Sequence, residues 1–176
     1  LSPDGKQYST SSGTDSCTIT YNLKTGKERY RVNHRDEVKN IQYSPSGNKI
    51  GVILSNTVQL IDSSNGNIIG ELSHDERISS LQFCSDGSYI ATSSHDNSIK
   101  IWDSITCQCV YVITHNQNDA IYVSFSPNSK YIVTASYDKT AKLYRFWPVQ
   151  ALIEKCKGII NNYELPDENK HNYYLQ

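Results

Sequence analysis

The chain of 176 residues has no methionine, no CxxC pair, no long apolar run and no excess of either charge. Seventeen Lys and Arg against eighteen Asp and Glu leave a net charge of -1, so no field of one sign exists to steer nucleic acid or an anionic membrane, and neither is an expected partner. The longest apolar stretches, such as Val52-Ile53-Leu54, fall far short of a bilayer span. Five cysteines (Cys17, Cys84, Cys107, Cys109, Cys156) cannot all pair and show no zinc spacing, which points to a reducing, cytoplasmic setting and to no metal. Cys107-x-Cys109 reads as two thiols on one face of one strand. No Gly-rich phosphate loop or HExxH is present, so no cofactor is implied. With no Met and Leu1 at its head, the chain is expected to begin inside a longer polypeptide.

What is there is a repeat. Ser2-Pro3-Asp4-Gly5 recurs as Ser44-Pro45-Ser46-Gly47, Cys84-Ser85-Asp86-Gly87 and Ser126-Pro127-Asn128-Ser129, a period of 40 to 42 residues. An alternating segment precedes each of the last three turns: Ile41 and Tyr43, then Leu81 and Phe83, then Val123 and Phe125. Apolar strands follow it, as in Tyr89 to Ser93 and Tyr131 to Ala135. A polar turn such as His95-Asp96-Asn97 leads to a third strand, Ile99 to Trp102, and a fourth runs to the next unit. Four short strands per period, joined by Gly, Asn, Asp and Ser turns, is the pattern of a propeller blade.

The segment Thr92-Ser93-Ser94-His95-Asp96-Asn97-Ser98-Ile99-Lys100-Ile101-Trp102-Asp103 resembles the WD repeat of β-propellers, with Ser73-His74 where that family has Gly-His. The resemblance covers residues 1–146 and is strongest in the third unit. It implies an all-β fold, a WD-repeat β-propeller fragment of about four blades in an incomplete ring. The expected blades are 1–33, 34–73, 74–114 and 115–146.

His, Ser/Thr and Asp recur together, so a nucleophilic triad must be weighed. The third unit has His74, Thr92, Asp96 and Trp102. The fourth has His115, Thr134, Asp138 and Tyr144 at nearly the same spacing, and the first has Ser11, Asp15 and Tyr21. The second keeps His34 but has Val52 and Ile61 at the hydroxyl and aromatic positions, and is expected to be the least rigid. A hydrolase needs one such set in a cleft, not a copy in successive repeats. The resemblance assigns these residues to structural hydrogen-bonded tetrads, and no catalytic residue is assigned.

Residues 147–176 change period: Val149, Leu152, Ile153 and Cys156 fall at i, i+3, i+4 and i+7 after Pro148. They predict a short C-terminal helical extension, similar to that following the last blade of many bacterial WD-repeat proteins. Starting within a repeat but ending after a third strand, the chain reads as the C-terminal portion of a larger protein, with further blades upstream.

For function, the resemblance implies a non-catalytic protein–protein interaction scaffold, the C-terminal sensor or docking region of a multidomain signalling protein. Expected partners are a protein or peptide ligand and the upstream domains of the same polypeptide. The family's top-face positions map to Thr14, Glu37, Lys39, Arg77, His95, Asp119 and Tyr137. The alternative is a propeller-type hydrolase or lyase with chemistry in the central channel, where the inner strands offer Lys39, Asn40, Ser79, Ser80 and Tyr122 but no convergent acid and base.

Overall fold

The computed structural model describes residues 1–12, 14–114 and 119–147. Contacts divide the chain into Leu1–Phe146 and Trp147–Gln176. Of the second unit only Trp147 is described, so the expected helix lies outside the described residues.

All regular structure among the described residues is β. The first sheet holds β1 (Gln7–Ser12), β2 (Cys17–Asn22) and β3 (Glu28–Asn33). The second holds β4 (Asn40–Tyr43), β5 (Lys49–Ile53), β6 (Thr57–Asp62) and β7 (Ile68–Ser73). The third is β8 (Ile78–Phe83), β9 (Tyr89–Ser94), β10 (Ser98–Asp103) and β11 (Cys109–Thr114), and the fourth β12 (Ala120–Phe125), β13 (Tyr131–Ser136) and β14 (Ala141–Arg145). Each strand pairs antiparallel with its neighbour in sequence, so every sheet is a meander, one blade of a ring that does not close.

Three apolar cores lie between the four blades. Val32, Val38, Ile50, Val52 and Ile61 fill the first, with Tyr30 and Tyr43 against them. Val58, Leu60, Leu72, Phe83, Ile90 and Trp102 fill the second. Ala91, Ile99, Ile101, Val123, Phe125, Ile132 and Phe146 fill the third. Leu60, Ile61, Ile90 and Ile101 are wholly buried, each such side chain contributing about 1.5–3 kcal/mol. In blade two β5 and β6 are buried almost end to end, with Val52 and Ile61 standing where blade three has Thr92 and Trp102.

The repeated turn explains its own residues. In Cys84 to Gly87, the Gly87 N–H closes onto the Cys84 carbonyl at 3.0 Å with Gly87 at φ +74°, a left-handed conformation open to glycine. Ser129 adopts the same conformation in blade four, at φ +53°. Its hydroxyl accepts the Ser85 N–H at 3.0 Å, tying the turns of blades three and four together.

The turns between third and fourth strands correct one expectation. Gly26, Gly66 and Cys107 hold equivalent left-handed positions, each N–H bonded back to the residue four before it. Cys107 therefore lies in a turn, with Cys109 opening β11, and the two thiols do not share a strand face.

Candidate functional site

In blade three, β9 carries Thr92, β10 carries Trp102, the loop before β8 carries His74 and the turn after β9 carries Asp96. Thr92 pairs with Lys100, and Trp102 with Ile90, two residues from Thr92, so hydroxyl and indole share one face of the sheet. The Trp102 Nε1–H donates to Thr92 Oγ1 at 2.8 Å. Thr92 and His74 Nε2 bond at 2.7 Å, and His74 Nδ1 meets Asp96 Oδ2 at 2.8 Å. Ser98, to which the repeat pattern assigns no role, donates to Asp96 Oδ1 from its hydroxyl at 2.6 Å and its N–H at 2.9 Å.

Protonation follows from these contacts. Burial is the largest influence on His74 and lowers its pKa, so the imidazole is neutral near pH 7. A neutral ring donating from Nδ1 to the carboxylate accepts the Thr92 O–H at Nε2, so every polar atom of the chain is satisfied. Burial works against the Asp96 carboxylate, but the bonds from Ser98 and His74 outweigh it and hold its pKa at about 2. The His74 and Thr92 residues are 3% and 0% exposed, so no substrate reaches the pair. What the arrangement does chemically is anchor a turn to its blade.

Blade four repeats the register. Thr134 pairs with Lys142 and Tyr144 with Ile132, which puts Thr134 and Tyr144 on one face. Asp138 accepts the Thr140 N–H at 2.8 Å and hydroxyl at 2.6 Å. His115 lies outside the described residues.

Blade one does not assemble the set read from its spacing. Ser11 pairs with Thr18 and Tyr21 with Tyr8. Tyr8 and Ser11 are three residues apart on β1, so Ser11 and Tyr21 face opposite sides. The cause is the connection, four residues between β1 and β2 against three between β9 and β10, which keeps the sequence spacing and flips the facing. Tyr21 instead stacks on Tyr8 with ring centroids 5.0 Å apart, and Asp15 sits exposed in the turn.

Blade two has a relay of different composition. The buried His34 ring bonds Thr18 Oγ1 through Nε2 at 2.9 Å and Gln59 Oε1 through Nδ1 at 2.7 Å. The Gln59 amide then donates to Glu71 Oε1 at 2.8 Å. Gln59 was legible as the one non-hydroxyl polar residue inside Val58 to Ile61. Thr18, contributed by the preceding blade, carried no sequence signal.

The top-face positions fall largely in one place. Lys39, Arg77, His95 and Tyr137 line a cleft of about 320 Å³ with Ile78, Ser79 and Ile121. Backbone bonds set its walls: the His95 N–H donates to the Arg77 carbonyl at 2.9 Å and the Tyr137 N–H to the Asp119 carbonyl at 3.2 Å. Side chains repeat the link, Arg77 Nη2 bonding His95 Nε2 at 3.0 Å and His95 Nδ1 bonding Asp119 Oδ2 at 2.5 Å. Arg77 can only donate, so His95 Nε2 accepts and its proton sits on Nδ1. Tyr137 is 61% exposed over this chain. Glu37 lies outside the lining and pairs with Lys39, and Thr14 sits apart in the β1–β2 turn, near Ser12. A smaller cavity of about 200 Å³, between Gln42, Gly51 and Leu81, has no charged lining. Among the described residues no group of three His, Cys, Asp or Glu is placed to hold a metal.

Comparison with known proteins matches residues 66–103 and 107–145 to the family model described as WD domain, G-beta repeat. Residues 100–110, whose cysteines are Cys107 and Cys109, also match the CXCXC repeat model. The chain is 31% identical over 145 residues to the p21-activated protein kinase-interacting protein 1-like of Danio rerio, covering 81% of this chain and 39% of that protein. It is 32% identical over 145 residues to p21-activated protein kinase-interacting protein 1 of Mus musculus, covering 81% and 37%. The COMPASS component SWD3 of Saccharomyces cerevisiae is 26% identical over 146 residues, with 82% and 46% covered. The chain thus spans about two fifths of the length of these kinase-interacting relatives. These relatives are animal and yeast proteins, and the bacterial likeness read in the tail gains no support from them.

Proposed function

Residues 66–103 and 107–145 are WD repeats, and on that premise we propose that the chain is a non-catalytic protein–protein interaction scaffold. The observation that carries the reading is the division of labour between the interior of blade three and the top face it shares with blade four. The His–Thr–Asp set that imitates catalytic machinery is sealed inside the blade, while Arg77, His95 and Tyr137 are presented around an open cleft. Tyr and Arg are the residue types most often responsible for binding energy, and loops held by a rigid scaffold are where binding residues concentrate.

The relatives' printed names support the same direction, since two describe a protein that interacts with a kinase and one a component of a complex. We place the chain as the C-terminal docking region of a larger signalling polypeptide, with the top face of blades two to four turned to a protein or peptide. A reducing, cytoplasmic setting is part of the same proposal.

The test is a double substitution, Arg77→Glu with Tyr137→Ala. It is expected to abolish partner binding while leaving the unfolding midpoint within a few degrees of the parent. Binding that survives in a folded double variant contradicts the proposed face.

A further inference from the structure

We infer that the cleft at Arg77 binds a carboxylate side chain of an acidic peptide segment, with Arg77 as its reader and Lys39 and Ser79 as supporting donors. The inference rests on the top-face reading above and names the chemistry of its ligand.

The charges around the cleft are unevenly committed. Among the described residues two cations, Lys39 and Arg77, line it, and no carboxylate does. The nearest acids already have work: Glu37 Oε2 holds Lys39 Nζ, and Asp119 Oδ2 holds His95 Nδ1. Arg77 has no carboxylate partner among the described residues. Its Nη2 is spent on the lone pair of His95, a contact that fixes the guanidinium plane without neutralising its charge. The remaining edge of that fork suits a carboxylate, which accepts two parallel N–H bonds.

Ser79 gives a second, independent pointer. Ser79 lines the cleft, and its Oγ, shielded from solvent, has no hydrogen-bond partner among the described residues. Buried hydroxyls without partners are rare, and an incoming oxygen at this wall supplies what Ser79 lacks. The rest of the wall is apolar, from Ile78 and Ile121, and the exposed Tyr137 ring can cover an aliphatic stem. A basic ligand meets Arg77 and Lys39 as like charges. A neutral one leaves the Arg77 guanidinium desolvated without a partner. An Asp or Glu side chain answers both.

The experiment uses an array of 11-residue peptides whose central residue is varied through the twenty amino acids and phosphoserine, probed with the fluorescently labelled full chain. Central Asp and Glu are expected to bind about tenfold tighter than their Asn and Gln counterparts, the gain of a charge-assisted bond. Arg77→Gln is expected to erase that preference and Arg77→Lys to keep part of it, with unfolding midpoints unchanged. Equal binding of acid and amide, a preference for phosphoserine, an acid preference indifferent to Arg77→Gln, or no binding to any peptide overturns the inference. Tyr137→Ala separates the two levels. If it weakens all peptides while the acid preference ignores Arg77, the face stands and the carboxylate assignment falls. If neither Tyr137→Ala nor Arg77→Gln changes binding, the face itself is wrong.

Discussion

Gln59 accepts the Nδ1–H of His34 at 2.7 Å, in the blade where Val52 takes the place of the relay hydroxyl. Val52 and Gln59 are cross-strand partners, so the apolar replacement and the polar repair sit side by side. Replacing both members of a buried polar pair with apolar groups costs little, whereas orphaning one of them costs its full desolvation. Blade two avoids the second outcome by keeping its histidine and re-partnering it through Gln59 and, from blade one, Thr18.

This bears on rigidity. The missing tetrad suggested that blade two is the weakest, yet β5 and β6 are its most buried strands, while β14 alternates exposed and half-buried residues. Amide protons of β5 and β6 are expected to exchange more slowly than those of β14, because local opening must first expose their apolar faces. Hydrogen exchange read by mass spectrometry or NMR checks the order, and faster exchange in blade two contradicts it.

Thr92→Val keeps the shape of the side chain and deletes its oxygen. It leaves the Trp102 Nε1–H and His74 Nε2 without their partner inside the blade. The expected loss is about 2–4 kcal/mol of unfolding free energy. In a Trp102→Phe background the same change is expected to cost about 1 kcal/mol less, because one orphan has already gone. Denaturant melts of the four proteins measure the difference, and strict additivity means the two residues do not act through Thr92 Oγ1.

The relay also sets a pH dependence. His74 has a folded pKa below the ordinary 6.5, so the unfolded chain binds a proton that the folded one refuses. Stability contributed this way is full above 6.5 and declines as pH falls below it. Asp96, at about 2 against the ordinary 3.8, contributes about 2 kcal/mol that is present above 3.8 and lost as pH falls towards 2. Unfolding free energy is expected to fall in two stages, the first absent from His74→Gln and the second from Asp96→Asn. A first stage identical in His74→Gln contradicts the assignment.

Gly66 tests the turn between third and fourth strands. It sits at φ +84°, and a Cβ there would lie 2.5 Å from Tyr30 Cδ2. Tyr30 is held by its hydroxyl on the Ser63 carbonyl at 2.9 Å, so its ring has little room to retreat. Gly66→Ala is expected to cost about 1–3 kcal/mol, whereas Gly26→Ala, with nothing within 4 Å, costs only the backbone strain of about 1 kcal/mol. Equal thermal shifts for the two variants would show that the Tyr30 contact is not felt.

Much of this was written in the sequence, and the rest was hidden for identifiable reasons. The 40 to 42 residue period and the alternation around Leu81, Phe83, Val123 and Phe125 disclosed the blades, because turns and buried faces recur at fixed spacing. Of the top-face positions, Lys39, Arg77, His95 and Tyr137 were legible by position within the repeat and do line one cleft. Ser11 and Tyr21 misled because sequence spacing does not reveal which residue opposes which once a turn gains a residue. Ser79 and Ile121 were legible only as inner-strand residues, and Thr18 was silent because it acts across a blade boundary, where no local pattern records the neighbour.

Site-specific photo-crosslinking tests the binding face most directly. A benzophenone side chain is placed at residue 137, on the cleft, and in a second protein at residue 25, in the exposed β2–β3 turn. The account predicts a covalent partner adduct from position 137 that disappears with Arg77→Glu, and none from position 25. Adducts of equal yield from both positions, or an adduct at 137 indifferent to Arg77→Glu, would contradict it.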